Sequence, residues 1–312
     1  MRPAPLPVTL RQLQYLVAVV DQRTFRRAAE VCGVSQPALS AQIATLESAL
    51  DVQLLERDRR SVRLTPAGKQ VLERARRLLV EAEDLSDAAR SLSDPLSGEL
   101  RIGIIPTISP YLLPQIVPAL RRQAPRLTLY WIEERTDTLV RKVEAGELDA
   151  ALLALEARLG DLQQLALGRD PFVLAMAPVH RLAARTTPAR LDELDGVDLL
   201  LLDDGHCLRE QALAACKRTD AHELDFRATS LPTLVQMVAA GTGVTLLPRL
   251  AIPVETHNTR LTLRRFAPPV PERTIGLVWR KGSSASPALE VVGETIRGTL
   301  ARMEPRLEKA LP

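Results

Sequence analysis

The sequence predicts a mixed α/β protein that carries a helix-turn-helix at its N-terminus. Three observations lead to this prediction. Helical spacing of apolar residues runs through residues 10–50, residues 66–92 carry a long heptad pattern, and beyond residue 98 apolar strands alternate with amphipathic helices. At 312 residues the chain has room for two or three domains, each large enough to bury its own core.

The helix-turn-helix rests on three consecutive helices. Apolar residues at helical spacing predict the first over 10–20, and the second covers Phe25–Cys32. Gly33 ends that helix, and a third helix begins at Ser35, whose side chain is suited to cap it. An ordinary corner of a helical bundle has the same pattern, so the following segment decides between the two interpretations.

That segment, QLLERDRRSVRLT (53–65), predicts two short strands around a charged turn. Such a wing places its arginines where they can contact phosphates or enter the minor groove. In the third helix, Gln36 can pair with adenine, Ser40 can touch a base or phosphate, and Pro37 and Ala38 can meet a thymine methyl group. The predicted contacts with double-stranded DNA are Arg26, Arg27, Ser35, Gln36, Pro37, Ser40, Arg57, Arg59, Arg60 and Arg63.

The next helix begins after Thr65 and carries an unbroken heptad seam to about residue 92. Three heptads are the usual minimum for a coiled coil, so we expect this helix to link two chains. The alternative is that the seam packs against its own domain. The seam consists of Val71, Ala75, Leu78, Ala82, Leu85, Ala89 and Leu92.

Strands and helices alternate in the remaining sequence, which is the rhythm of a parallel, doubly wound sheet. We expect two lobes with a ligand cleft between them, because the end of the chain returns to the first lobe. The predicted strands are 100–105, 127–134, 150–155, 172–177, 198–202, 244–248 and 274–280. The predicted helices are 111–123, 138–149, a cysteine-bearing helix within 203–216, 231–241 and 287–303.

These patterns divide the chain into successive regions. The expected divisions are a winged helix-turn-helix domain at 1–65, a linker and dimerisation helix at 66–92, a hinge at 93–98, and a regulatory domain at 99–312 whose first lobe is 99–169 with 270–312 and whose second lobe is 170–269.

Composition limits the class of protein. The chain is 46% apolar and 25% charged, which is typical of soluble globular proteins, and its net charge of +3 does not by itself indicate a polyanionic partner. The N-terminal MRPAPLPV lacks the apolar segment of a signal peptide, and no stretch approaches the roughly 18 apolar residues that span a bilayer. We expect a cytoplasmic protein with no membrane partner.

Only three cysteines occur, so the chain is not a disulfide scaffold. Cys32 lies at the end of a helix and is interpreted as core filler. Cys207 and Cys216 could be core residues, metal ligands or a redox pair; the C-x8-C spacing is unlike that of zinc sites, so we predict no metal and no cofactor.

The stretch FRRAAEVCGVSQPALSAQIATLE (25–47) resembles the N-terminal half of LysR-type transcriptional regulators. Four further blocks resemble the hydrogen peroxide-sensing members of that family. They are IPTISPYLLP (105–114), LDDGHCLREQA (202–212), FRATSLPTLVQMVAAGTGVTLLP (226–248) and RTIGLVWR (273–280). The resemblance therefore covers nearly the whole chain.

The resemblance implies a transcription activator of antioxidant genes, which is not an enzyme. It implies a long coiled-coil linker helix, a two-lobed effector region like a periplasmic binding protein, a homotetramer built as a dimer of dimers, and RNA polymerase as a partner. It also implies that hydrogen peroxide oxidises Cys207, which then forms a disulfide with Cys216. The residues implied to support the peroxide are Thr107, Thr136, His206 and Arg273. The TDTL that begins at Thr136 departs from the family pattern, and Glu210 stands where aspartate is usual.

The residues themselves suggest different chemistry for the two cysteines. A thiolate attacks peroxide, and we expect Cys207 to be accessible with a lowered pKa, because it begins a helix and Arg209 follows two residues later. Cys216 has apolar neighbours and is expected to be buried and to resolve the intermediate. On one continuous helix, nine residues rise about 13.5 Å and turn the two side chains to opposite faces. A disulfide therefore requires that helix to unwind or its ends to move.

Two alternatives differ in function. A LysR-type regulator could sense a small metabolite in the cleft, with both cysteines structural. A stand-alone thiol oxidoreductase is disfavoured, because the chain lacks the C-x-x-C motif and such an enzyme has no use for the winged helix or the heptad helix.

Overall fold

The computed structural model describes residues 7–57, 62–91, 94–216 and 219–311. Its contacts divide the chain between Arg90 and Ser91 into two compact units. Within the described ranges, no helix is both long enough and apolar enough to cross a membrane. The predicted contact residues Arg59 and Arg60 and the last seam residue Leu92 lie outside the described residues.

The N-terminal unit is a small helical domain with a two-stranded hairpin. Its core contains Leu16, Leu39 and Ile43, which are fully buried, and Cys32 packs against that core as predicted. The elements are α1 (Leu10–Gln22), α2 (Phe25–Val31), α3 (Gln36–Leu50), β1 (Leu55–Arg57), β2 (Val62–Leu64) and α4 (Pro66–Ser91).

Local sequence explains where α2 and α3 meet. Gly33 adopts a φ of 65°, a left-handed conformation that suits glycine, and α2 ends just before it. The Ser35 side chain accepts a hydrogen bond from the Ala38 backbone N–H at 3.4 Å and so caps α3. The strands β1 and β2 pair antiparallel. The predicted helix-turn-helix with a following hairpin is confirmed.

The C-terminal unit contains a mixed sheet with helices against it. The first part of the chain in this unit forms β3 (Gly98–Ile104), α5 (Ser109–Gln123), β4 (Leu127–Glu133), α6 (Thr136–Glu144), β5 (Ala150–Ala154) and β6 (Leu162–Met176). The strand β3 pairs in parallel with both β4 and β5. This arrangement is the predicted parallel sheet of the first lobe.

The chain continues into a second group of parallel strands. Its elements are a short 3-10 turn (Leu191–Leu194), β7 (Asp198–Leu202), α7 (Cys207–Ala215), β8 (His222–Ala228), α8 (Leu231–Ala239), β9 (Val244–Pro248), a 3-10 turn (Arg249–Ala251), α9 (Ile252–Glu255), β10 (Thr262–Arg265), β11 (Glu272–Arg280) and α10 (Ser286–Lys309). The strand β7 pairs in parallel with β8 and β9.

Two long strands join these groups, and here the prediction of a parallel sheet is wrong. The strand β11 pairs antiparallel with β5 and β6, and β6 pairs antiparallel with β9. Only 172–177 was expected as strand in this region, whereas β6 covers 15 residues. Gly168 and Pro171 interrupt its apolar pattern, but the two flanking strands provide backbone partners that override these local signals.

Some boundaries also differ from the prediction. The helix expected at 138–149 is α6, which begins at Thr136 and ends at Glu144 because Gly146 adopts a φ of 74°. The strand β3 begins at Gly98, within the expected hinge. The mixed α/β fold class with an N-terminal helix-turn-helix is confirmed.

Candidate functional site

The candidate site is built around Cys207, the first residue of α7. Gly205 lies in the preceding turn with a φ of 86°, and a Cβ atom there would come within 3.2 Å of the Arg135 side chain. The Arg135 guanidinium donates a hydrogen bond to the Asp204 carbonyl oxygen at 2.9 Å. This turn therefore requires glycine, and it holds the start of α7 against the residue that precedes α6.

A buried arginine forms the polar centre of the site. Arg273 on β11 is 0% exposed, and its Nη1 and Nη2 donate to the Thr107 Oγ1 and carbonyl oxygen at 2.8 and 2.9 Å. Thr107 lies in the loop between β3 and α5 and is buried as well. Because Thr107 Oγ1 accepts from the guanidinium, its own hydroxyl hydrogen can be donated to a ligand.

Asp170 neutralises this arginine. Its Oδ2 accepts from Arg273 Nε at 3.0 Å and lies 2.9 Å from Nη2, while its Oδ1 accepts from the Leu250 backbone N–H at 2.9 Å. All these groups are buried, so the ion pair and its hydrogen bonds depend on one another. Sequence analysis missed Asp170, because its partner is 103 positions away and no local pattern marks the pairing.

The expected accessibility and lowered pKa of Cys207 are wrong. The side chain is 8% exposed, and burial raises the pKa of the Cys207 thiol above its ordinary value. The positive charge of Arg273 and a hydrogen bond with the Thr136 side chain act in the opposite direction and lower it. Arg273 and Thr136 are therefore the residues that favour a thiolate here.

Arg209 does not have the expected effect on the thiol. Its Nε lies 3.0 Å from Asp204 Oδ1, and its Nη1 lies 2.7 Å from Glu223 Oε1. These two carboxylates compensate its charge, which explains why sequence proximity to Cys207 was misleading.

The two remaining predicted residues of the site lie at the starts of α6 and α7. Thr136 is the buried first residue of α6, and His206 is the buried residue that precedes α7. Burial and the nearby charge of Arg135 hold the pKa of His206 below its ordinary value of 6.5, although Asp203 raises it. The imidazole is therefore neutral at neutral pH, with one nitrogen able to accept and the other able to donate.

Cys216 lies at the other end of α7, where its backbone N–H donates to the Ala212 carbonyl oxygen. It is buried, as expected, and burial raises the pKa of its thiol. Thr219 donates to the Cys216 carbonyl oxygen at 2.8 Å and so holds this end of the helix. Both cysteines are free thiols, and the helix between them is continuous.

Gln211 is a second polar residue that sequence analysis missed. Four positions after Cys207, it shares a face of α7 with that residue. Its Nε2 donates to Glu156 Oε2 at 3.4 Å, and its buried Oε1 has no hydrogen-bond partner among the residues that the structure describes. The spacing of four residues between Cys207 and Gln211 could have identified Gln211 from the sequence. No group of three potential metal ligands occurs in the described ranges.

The predicted DNA-contacting residues belong to the N-terminal unit. Ser35, Gln36 and Pro37 are exposed at the start of α3, while Ser40 is partly buried one turn later. Arg26 and Arg27 are exposed on α2, and Arg26 lies 3.6 Å from Glu30. On the hairpin, Arg63 is exposed on β2 and Arg57 ends β1. This unit therefore presents polar and basic side chains at the start of α3, on α2 and on β2.

The heptad seam of α4 divides into two parts. Val71 and Ala75 pack against the core of their own unit, whereas Leu78 is 53% and Leu85 is 75% exposed. Ala82 between them is partly buried. Packing against the N-terminal unit therefore explains the apolar residues Val71 and Ala75. It does not explain Leu78 and Leu85, which are exposed.

Two protein-family models match the chain. The model "Bacterial regulatory helix-turn-helix protein, lysR family" matches residues 10–69, and the model "LysR substrate binding domain" matches residues 93–301. The chain therefore belongs to the LysR family of bacterial helix-turn-helix regulators. This family consists of transcription regulators, which are not a class of enzymes.

Within this family, the chain is similar over nearly its full length to OxyR. The DNA-binding transcriptional dual regulator OxyR of Escherichia coli (strain K12) is 44% identical over 305 residues, which are 97% of this chain and 99% of that protein. Full-length OxyR of Pseudomonas aeruginosa with a cysteine-to-aspartate substitution is 37% identical with a TM-score of 0.76, covering 93% of this chain and 95% of that one.

A second solved structure is OxyR of Corynebacterium glutamicum with a cysteine-to-serine substitution and hydrogen peroxide bound. It is 34% identical with a TM-score of 0.68, covering 97% of this chain and 96% of that one. The resemblance to LysR-type regulators and to their peroxide-sensing members is confirmed.

Proposed function

We propose that this protein binds promoter DNA and senses hydrogen peroxide through Cys207. The observation that carries the proposal is the position of a buried cysteine at the start of α7, within the influence of Arg273 and in a hydrogen bond with Thr136. A buried positive charge favours the thiolate, which is the form that attacks a peroxide. Similarity to OxyR, including a structure with hydrogen peroxide bound, supports this choice of signal.

The peroxide step uses the donors around the thiol. The Cys207 thiolate attacks one peroxide oxygen, an S–O bond forms, the O–O bond breaks, and hydroxide leaves with the second oxygen. The sulfur is oxidised by two electrons to a sulfenic acid. Thr107 can donate a hydrogen bond to the departing oxygen, and the charge of Arg273 stabilises the hydroxide until it takes up a proton. The neutral His206 and the buried oxygen of Gln211 can bind the O–H groups of the peroxide.

The second step closes the disulfide. The Cys216 thiolate attacks the Cys207 sulfur, an S–S bond forms, and the sulfenic oxygen leaves as hydroxide and takes up a proton to form water. A continuous α7 separates the two residues by about 13.5 Å along its axis, while a disulfide requires Cα atoms roughly 4.4–6.8 Å apart. Oxidation therefore unwinds α7 and remodels the surface that it forms.

The DNA-binding unit provides the output. The start of α3 enters the major groove with Gln36 and Ser40, and the arginines of α2 and the hairpin contact phosphates. Leu78 and Leu85 pair α4 helices in a homotetramer, which is a dimer of dimers. The protein acts in the cytoplasm, where it activates antioxidant genes together with RNA polymerase.

Mass spectrometry of the protein after sub-stoichiometric peroxide tests this function. We expect a sulfenic acid on Cys207 in a Cys216→Ser variant and a Cys207–Cys216 crosslink in the wild-type protein. Cys32 serves as an internal control and stays reduced. If Cys207 remains a thiol, the sensor interpretation is wrong, and a metabolite bound between the lobes becomes the better hypothesis.

A further inference from the structure

The turn that precedes α7 is held by an arginine from a distant part of the sequence. The turn, residues 203–205, follows β7, whereas Arg135 follows β4 and is the residue before α6. Its Nη1 donates a hydrogen bond to the Asp204 carbonyl oxygen at 2.9 Å, and its Nη2 lies 3.6 Å from Asp203 Oδ2. Arg135 therefore joins the first group of parallel strands to the second at the start of α7.

The next residue makes a second connection between the same two segments. Thr136, the first residue of α6, forms a side-chain hydrogen bond with Cys207, the first residue of α7. The carbonyl group that Arg135 binds belongs to Asp204, three positions before this cysteine. The starts of the two helices are thus connected twice, once at the thiol and once in the turn before it.

The helix α7 depends on such contacts because it is short. It has 9 residues, and the His206 side chain makes no capping hydrogen bond within the described part of the chain. Helices shorter than about 12–15 residues are marginal in water on their own, so contacts with the rest of the protein decide whether they form. A contact that fixes the start of α7 therefore stabilises the whole helix.

A second arginine at this turn does not have the same effect. Arg209 on α7 lies 3.0 Å from Asp204 Oδ1, but both residues belong to one segment and can move together. Arg135 belongs to the other segment, so its bond with the Asp204 carbonyl oxygen breaks if the turn moves away from α6. Arg135 thus opposes a movement of the α7 start that Arg209 does not oppose.

We propose that Arg135 is a positioning residue that stabilises the reduced form of the redox switch and so sets the equilibrium between the two thiols and the disulfide. This inference rests on the proposed Cys207–Cys216 disulfide, whose formation unwinds α7. An interaction that exists in only one of two states shifts the equilibrium towards that state. In the reverse reaction, two glutathione thiols supply two electrons and two protons, the S–S bond breaks, and the two glutathione molecules join in a disulfide.

Two substitutions and one control test this role. Arg135→Met keeps a long apolar side chain but removes the charge and the hydrogen-bond donors, whereas Arg135→Lys keeps a charge and one donor group. The control Arg141→Met removes another exposed arginine, which lies on α6 itself. Each full-length protein is oxidised with peroxide and equilibrated with mixtures of reduced and oxidised glutathione. Mass spectrometry after acid quenching then measures the fraction of protein that carries the disulfide.

We expect Arg135→Met to shift the equilibrium towards the disulfide by at least about threefold, because a partly exposed ion pair makes a modest contribution. Arg135→Lys should shift it less, and Arg141→Met should match the wild-type protein. The inference is overturned if the shift in Arg135→Met is smaller, or if Arg141→Met shifts the equilibrium equally. If the wild-type protein forms no Cys207–Cys216 disulfide, the proposed function fails as well.

The protonation of His206 gives a second, independent measurement. Burial and the charge of Arg135 hold the pKa of His206 below its ordinary value of 6.5, although Asp203 raises it. Arg135→Met should therefore raise the pKa of His206 towards 6.5, while Arg135→Lys should leave it near the wild-type value. Nuclear magnetic resonance titration of the His206 imidazole in the reduced proteins measures this pKa. A wild-type pKa of His206 in Arg135→Met would contradict the position of the guanidinium beside α7 and overturn the inference.

Discussion

At Cys207, burial and positive charge act in opposite directions on one thiol. Burial raises its pKa, while the charge of Arg273 and the hydrogen bond with Thr136 lower it. The thiolate is therefore a minority species at neutral pH, and its reactivity depends on a guanidinium that Asp170 and Thr107 hold in place. A protein that must ignore trace oxidants and respond to peroxide can use such a balance.

This balance predicts the pH dependence of the peroxide reaction. Because the pKa of Cys207 is raised, the rate of its oxidation should increase as the pH rises above neutrality. Arg273→Gln removes the charge that favours the thiolate, so the increase should move to still higher pH, and the rate at pH 7 should fall at least about tenfold. Stopped-flow or rapid-quench kinetics measure this profile.

Two further variants distinguish loss of the positive charge of Arg273 from general disruption of the structure. Arg273→Lys keeps the positive charge and should retain more activity than Arg273→Gln. Arg169→Gln removes an exposed charge from the adjacent strand β6 and should leave the profile unchanged. An Arg273→Gln profile identical to that of the wild-type protein would contradict the role of the charge.

The ion pairs of Glu193 contribute to the stability of the C-terminal unit. Glu193 pairs with the buried Arg264 at 2.9 Å and also with Arg185 at 2.8 Å, and these partners lower the pKa of Glu193 to about 2. Because this pKa lies below the ordinary value of 4.5, the stabilisation is complete above about pH 4.5 and is lost as the pH falls towards 2. Glu193→Gln should therefore reduce the free energy of unfolding at pH 7 by about 3 kcal/mol.

Chemical denaturation at several pH values measures this effect. The difference between the wild-type protein and Glu193→Gln should shrink below pH 4.5. The adjacent and exposed Asp192, replaced by asparagine, is the control and should change stability little. Equal losses in both variants would contradict a special contribution of the Glu193–Arg264 ion pair.

The elements show which features a sequence can predict. Most of α3, α5 and α8 follows from apolar periodicity, and α3 and α8 also have capping serines; both signals act over a few positions. The full length of β6 does not, because its partners β9 and β11 follow far along the chain. The same distinction holds in the site: Cys207 and Gln211 share one helix, whereas Asp170 and Arg273 meet only through the sheet.

The exposed leucines of α4 are expected to hold chains together. Leu78→Glu with Leu85→Glu places charges on the exposed half of the seam, so association through α4 should weaken at least about 100-fold. Analytical ultracentrifugation should then show the proposed tetramer replaced by smaller species. The control Gln70→Glu changes an exposed position of the same helix off the seam. Sedimentation like that of the wild-type protein would rule out pairing through Leu78 and Leu85.

In the whole molecule, the proposed signal begins in the C-terminal unit and the response occurs in the N-terminal unit. Cys207 and Cys216 lie in the C-terminal unit, and the predicted DNA contacts lie in the N-terminal unit. In the proposed mechanism, the unwinding of α7 changes how the subunits assemble, and assembly sets the spacing of the DNA-binding units. The central claim is therefore a coupling between one disulfide and the DNA contacts of an oligomer.

Footprinting on a bound promoter tests that coupling most directly, with reduced and peroxide-treated protein side by side. We predict that peroxide changes the length or position of the wild-type footprint and that the Cys216→Ser footprint stays in its reduced form, because a sulfenic acid alone does not unwind α7. The account is contradicted if the wild-type footprint is the same before and after peroxide, or if Cys216→Ser shows the full change.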